Sequence, residues 1–167
     1  MSEYKKRGYL TEGEARALAG YPDAARMERG AVAVIECPEC IPCNPCQRAC
    51  PHGAIWVGVP ITSLPALDAD KCVGCGVCVA QCPGQAIFVV DLSGDEALVS
   101  LPYEFLPLPR PGDAVRALDR AGRAVGTGRV VRVNNAATFD RTAVVTVAVD
   151  KGLAHTVRAI ARRRNDV

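Results

Sequence analysis

The sequence predicts an α+β chain: a cysteine-rich module built on a tandem repeat, followed by a small antiparallel β-barrel with a C-terminal helix. Three observations carry this: two runs of cysteines at matching spacings, four prolines crowded into residues 102–111, and short valine-rich segments beyond them. They divide the 167 residues into an N-terminal helical arm at 1–30, the cysteine-rich domain at 31–101, a proline-rich linker at 102–111 and the β-barrel module at 112–167. A chain of this length supports one domain or two small ones, with little room for an elaborate active site.

Composition narrows the class. At 49% hydrophobic and 23% charged residues the chain is ordinary globular protein except for its nine cysteines. An odd number of closely spaced thiols argues against a disulfide framework and for metal ligation. Apolar runs such as Ala143-Val144-Val145 stop at Thr146, far short of the roughly 18 to 20 residues that span a bilayer, so no transmembrane segment is expected. The basic residues of Met1-Ser2-Glu3-Tyr4-Lys5-Lys6-Arg7 have no apolar stretch behind them. That is not the form of a secretory signal, and a cytoplasmic location is expected.

In the arm, Thr11-Glu12-Gly13-Glu14 has the form of a capping box opening a short helix through Ala15 and Leu18. Residues 22–29 suit a second helix ended by Gly30, and Ala31-Val32-Ala33-Val34-Ile35 reads as a buried strand entering the first cysteine run.

The repeat follows. Cysteines stand at 37, 40, 43, 46 and 50, and again at 72, 75, 78 and 82. A shift of 32 residues lays Cys40, Cys43, Cys46, Cys50, Pro51, Ala54 and Ile55 on Cys72, Cys75, Cys78, Cys82, Pro83, Ala86 and Ile87. Each copy reads C-x-x-C-x-x-C-x-x-x-C-P. Three thiolates at intervals of three on a tight loop can converge on three corners of one iron–sulfur cube, with backbone N–H groups stabilising its negative charge. The intervening residues must be small or rigid, and Gly74 and Gly76 in one copy and Pro42 and Pro45 in the other meet that need. Short helices are expected before Pro51 and Pro83, and strands at Ala54-Ile55-Trp56-Val57 and Ala86-Ile87-Phe88-Val89-Val90.

On these motifs, residues 31–91 resemble a bacterial-type two-cluster [4Fe-4S] ferredoxin. The resemblance implies two [4Fe-4S] clusters with crossed fourth ligands: Cys40, Cys43, Cys46 and Cys82 on one, and Cys72, Cys75, Cys78 and Cys50 on the other. A pair of structural zinc sites is the rival, but zinc has no use for the third cysteine of each triplet or for the trailing Cys-Pro. Cys37 leaves one choice open. It can replace Cys40 at the cost of a five-residue gap before Cys43, whereas the repeat favours Cys40 because Cys37 aligns with Ala69.

Beyond the linker, Ala114-Val115-Arg116-Ala117-Leu118, a turn at Arg120-Ala121-Gly122, residues 124–133 and residues 142–149 read as strands of the barrel. Asp150 is placed to cap a final helix with Leu153, Val157 and Ile160 on one face.

No catalytic residue is expected. His52 and His155 are the only histidines, no base lies predictably beside a nucleophile, and Trp56 reads as core packing. Charge is divided unevenly: residues 51–109 carry one basic and six acidic side chains, residues 110–167 twelve and five. The arginines are dispersed without aromatic interleaving, and only Arg162-Arg163-Arg164 is contiguous, so a solvated face or a protein dock is favoured over nucleic acid.

As a whole, and through Val34-Ile35-Glu36-Cys37-Pro38, Ile41-Pro42-Cys43-Asn44-Pro45-Cys46 and Asp140-Arg141-Thr142-Ala143-Val144-Val145, the chain is similar to small iron–sulfur proteins that accompany FAD-dependent amine or amino-acid dehydrogenases of the proline and hydroxyproline type. That similarity implies an electron-transfer subunit, not an enzyme by itself, in a hetero-oligomer whose FAD or FMN belongs to the flavoprotein partner. A free-standing ferredoxin-like carrier is the alternative.

Overall fold

The computed structural model describes residues 3–162. Residues 1–2 and 163–167, with most of the expected basic run, lie outside the described residues. Helices α1 (Glu3–Arg7), α2 (Glu12–Arg16) and α3 (Ala24–Glu28) form the arm. Strand β1 (Val32–Ile35), helix α4 (Pro45–Ala49), strands β2 (Ile55–Trp56) and β3 (Ala66–Leu67), helix α5 (Val77–Gln81) and strand β4 (Ile87–Asp91) contain the two cysteine runs. Then come β5 (Ala97–Tyr103), β6 (Ala114–Leu118), β7 (Ala124–Asn134), β8 (Ala143–Val149) and β9 (Ala159–Arg162).

Local chemistry explains the arm. The Thr11 hydroxyl accepts from the Glu14 N–H while the Glu14 carboxylate accepts from the Thr11 N–H, a complete capping box, and Asp23 caps α3 through the Arg26 N–H.

Seven strands form one antiparallel sheet in the order β1-β4-β5-β8-β7-β6-β9, and β2 pairs with β3 beside it. The sheet runs straight past the proline-rich stretch, because β5 pairs with β8 along its whole length, from Ala97 opposite Val149 to Tyr103 opposite Ala143. Pro102 is tolerated within β5 because the ladder to β4 ends at Ser100, so its missing N–H breaks no bond there. Segments 31–101 and 112–167 thus share one sheet.

Strands β1 and β4 are buried on both faces, which is why they read as unbroken apolar runs. Val32, Val34, Phe88 and Val90 join Val99, Leu101, Val115, Val130, Val145, Val147 and Ile160 in the main core on one face. Ala33, Ile35, Ile87 and Val89 face the other way and pack with Cys46, Cys78, Val79, Ile55 and Val144. The second layer is therefore built around sulfur.

Two expectations are corrected. The sheet does not close into a barrel: register shifts at Ala117/Leu118 and Val130/Arg132 curl it, yet among the described residues no ladder joins β1 to β9. Nor is there a C-terminal helix among the described residues. Asp150 does act as a cap, accepting from the Gly152 N–H, but of a single 3-10 turn at Lys151–Leu153. The chain then extends as β9 against β6, with Ala161 opposite Arg116 and Ile160 opposite Ala117. The 153/157/160 spacing fits both outcomes, since Val157 is reached from the Leu153 turn and Ile160 by alternation; the open edge of β6 offers the segment a ladder that an isolated helix lacks. Among the described residues no helix is long and apolar enough to cross a membrane.

Candidate metal centres

None of the nine cysteines is in a disulfide, and Cys37, Cys46, Cys50, Cys72, Cys78 and Cys82 belong to the second layer, where α4 and α5 pack together beside the sheet. The duplication is visible in the backbone. Cys50 closes α4 and its Sγ accepts from the Ala54 N–H at 3.3 Å; Cys82 closes α5 and its Sγ accepts from the Ala86 N–H at 3.4 Å. Cys72 Sγ accepts from the Ala33 N–H of β1 at 3.3 Å. Amide donors of this kind favour thiolate over thiol and are what a thiolate-bound cluster needs around it.

Two cavities have sulfur in their walls. The larger, about 600 Å³, is walled by Cys37, Cys43, Cys46 and Cys82 together with Ile35, Ile87, Pro45 and residues of the arm. The smaller is walled by Cys50, Cys72, Cys75 and Cys78 with Ala33, Ile55 and Val89. In each, three or more thiols of one run meet the last cysteine of the other run. Cys40 is exposed and is absent from both walls.

Electrostatics follow the same division. Burial pushes the Cys78 thiol up to about 12, with Cys72, Cys75 and Cys50 adding to it. Burial likewise raises Cys46 to about 11, with Cys82 and then Cys43 and Cys37 near enough to contribute. Cys46 also acts on Cys78, so the two sites adjoin. A tetrahedral zinc draws four thiolates to about 2.3 Å from one point. Thiols spread around the larger cavity, backed by amides and apolar walls, fit a cube whose ligands sit on separate irons; the smaller cavity, about 10 Å³, has the same kind of wall but room for no more than about one water molecule.

Other side chains depart from the sequence reading. Trp56 is 60% exposed and is not core packing. His52 is no departure: read from the sequence as a residue that tunes a cluster or faces solvent, it is exposed at the rim of the smaller cavity. His155 lies past the 3-10 turn, its Nδ1 2.8 Å from the Tyr21 hydroxyl. Sequence reasoning missed Glu36, which is buried beside Cys37 and held by Arg120 and Arg158. Its only signal was a carboxylate directly after an all-apolar strand.

Residues 65–88, which hold Cys72, Cys75, Cys78 and Cys82, match the 4Fe-4S binding domain family. The match supports an iron–sulfur module of the ferredoxin type and an electron-transfer role. Neither curated proteins nor solved structures gave a match.

Proposed function

We propose that the chain is an electron-transfer subunit holding two [4Fe-4S] clusters. In this reading it takes electrons singly from the flavin of a partner FAD-dependent amino-acid or amine dehydrogenase and passes them to an acceptor, in the cytoplasm. The observation that carries the two-cluster part is the exchange of last cysteines, Cys82 in the wall with Cys43 and Cys46, Cys50 in the wall with Cys72, Cys75 and Cys78. A [4Fe-4S] cluster with four thiolate ligands supplies one-electron exchange with no open coordination position.

The chain's own residues do the rest. Cys50 and Cys82 tie each run to the other, which holds the two sites side by side between α4 and α5. The amides of Ala33, Ala54 and Ala86 stabilise sulfur charge, and Ala33, Ile35, Ile55, Ile87 and Val89 exclude water on the sheet side. The partner reading draws support from exposed apolar side chains in the β2–β3 connection and beside it, Trp56, Val59, Ile61 and Leu64, of which Val59 is 91% exposed.

Iron and sulfide analysis of the anaerobically purified chain tests the first part: about eight irons per chain is the expected result, and clearly fewer after reconstitution rejects two clusters. Native copurification followed by anaerobic addition of candidate amino acids tests the second. Reduction of the clusters by an amino acid in the copurified complex supports the subunit reading. A chain that elutes alone, and is reduced rapidly by a generic ferredoxin reductase and by no amino acid, is a free carrier.

A further inference from the structure

We propose that Cys37, and not Cys40, supplies the remaining thiolate of the first cluster, making its ligand set Cys37, Cys43, Cys46 and Cys82 and leaving Cys40 as a free surface thiol. The inference rests on the two-cluster reading and goes against the internal repeat, so the reason must lie where the copies differ.

They differ at the residue two past the first cysteine of each aligned run. In the second copy this is Gly74, with φ +66°, followed by Gly76 with φ +79°. A side chain at Gly74 would also collide with the chain entering β1, since a Cβ there would lie 2.5 Å from the Ala31 Cβ and 2.8 Å from its carbonyl carbon. That left-handed, closely packed path is what brings Cys72 back beneath the Ala33 N–H. Its counterpart in the first copy is Pro42, whose ring locks φ near −65°. Gly76 is matched by Asn44, at φ −143°. The first loop cannot trace the course of the second, and Cys40 is not delivered to a wall: it is exposed.

Cys37, by contrast, is held in place. The Glu36 N–H donates to the Ala86 carbonyl at 2.8 Å, and the Ala86 N–H donates to Cys82 Sγ at 3.4 Å. One residue of the second copy thus anchors the chain entering Cys37 and also caps the sulfur of Cys82. The Glu36 carboxylate is fixed in turn by Arg120 and Arg158. Cys37 lines the larger cavity with Cys43, Cys46 and Cys82. The resulting C-x-x-x-x-x-C gap is one residue longer than the C-x₄-C gap that iron–sulfur proteins are known to use.

The test uses the full chain in its cluster-loaded form. Native, anaerobic alkylation with iodoacetamide and peptide mass spectrometry should label Cys40 and leave Cys37 protected. Label on Cys37 with Cys40 protected, or label on neither, overturns the proposal. Independently, Cys40→Ala should retain the wild-type iron, whereas Cys37→Ala should lose up to about half of it or show the EPR signal of a three-iron cluster. The reverse pattern overturns the assignment. Failure of the underlying reading looks different: wild-type iron near four per chain rejects two clusters, and label on Cys43, Cys46 and Cys82 together with Cys37 then rejects the first site altogether.

Discussion

Arg158 donates from Nε to Glu36 Oε1 at 2.7 Å, joining the residue that enters β9 to the residue that leaves β1 across 122 positions of sequence. Arg120, from the β6–β7 turn, adds bonds of 2.7 and 2.6 Å to the same carboxylate. Arg158 spends its other donors on the Ala154, Val157 and Tyr21 oxygens and lies 5.0 Å from the Phe88 ring centroid. Burial alone would push the Glu36 carboxyl up, but the hydrogen bonds and charges of the two arginines outweigh it and hold it below the usual range. Where no backbone ladder joins the sheet edges, three side chains do.

Glu36→Gln should therefore be strongly destabilising, by about 3–5 kcal/mol, because it strands a buried guanidinium. Chemical denaturation of the cluster-loaded chain measures it. The double variant Glu36→Leu with Arg158→Met should recover part of the loss, and equal loss in single and double variants would show that the pair acts only through packing.

Glycine substitutions separate strain from collision. Gly122, φ +76°, has open space around it, so Gly122→Ala should cost about 1 kcal/mol and leave the iron content unchanged. Gly74→Ala meets Ala31 as well and should cost more, with iron lost from the site walled by Cys72 and Cys75. Thermal unfolding and iron analysis of both variants check the contrast.

Crossed ligation has its own signature. Cys50→Ala should perturb the cluster whose EPR signal is also lost in Cys78→Ala, and Cys82→Ala the one lost in Cys46→Ala. Pairing within each run would give the opposite assignment.

His155 sets a pH dependence. Burial, with the Arg16 charge next, holds its imidazole below the usual value of 6.5. The folded chain thus binds this proton less readily than the unfolded chain, so the stability the residue contributes is present above about pH 6.5 and is lost as pH falls through the folded value. The melting-temperature advantage of wild type over His155→Gln should shrink between pH 7.5 and 5.5, on the order of the titration range of one histidine. An advantage constant with pH would mean that the bond to Tyr21 matters and the proton does not.

Much of this architecture is legible in the sequence because it is local. The Thr11 box, the Val32 and Val89 runs and the short helices before Pro51 and Pro83 each follow from a few neighbouring residues. What escapes depends on distant partners. Strand β5 is masked by Pro102, which is harmless only because the ladder to β4 stops at Ser100. The segment after Asp150 chooses strand over helix because β6 has an open edge. Glu36, Arg120 and Arg158 are unremarkable singly and become a unit only when the sheet curls. The mismatch of Pro42 with Gly74 was readable in the repeat, but its meaning needed the Ala31 contact that makes the glycine's path necessary.

The two-sided burial of β1 and β4 has a consequence for how such a chain can change over time. Even-numbered positions from Val32 to Val34 and from Phe88 to Val90 serve the valine core, while Ala33, Ile35, Ile87 and Val89 serve the sulfur layer. A substitution on one set reaches the other only through the backbone. Redox tuning and folding stability are thereby written on alternate letters of the same strands, and each is open to variation with the other held constant.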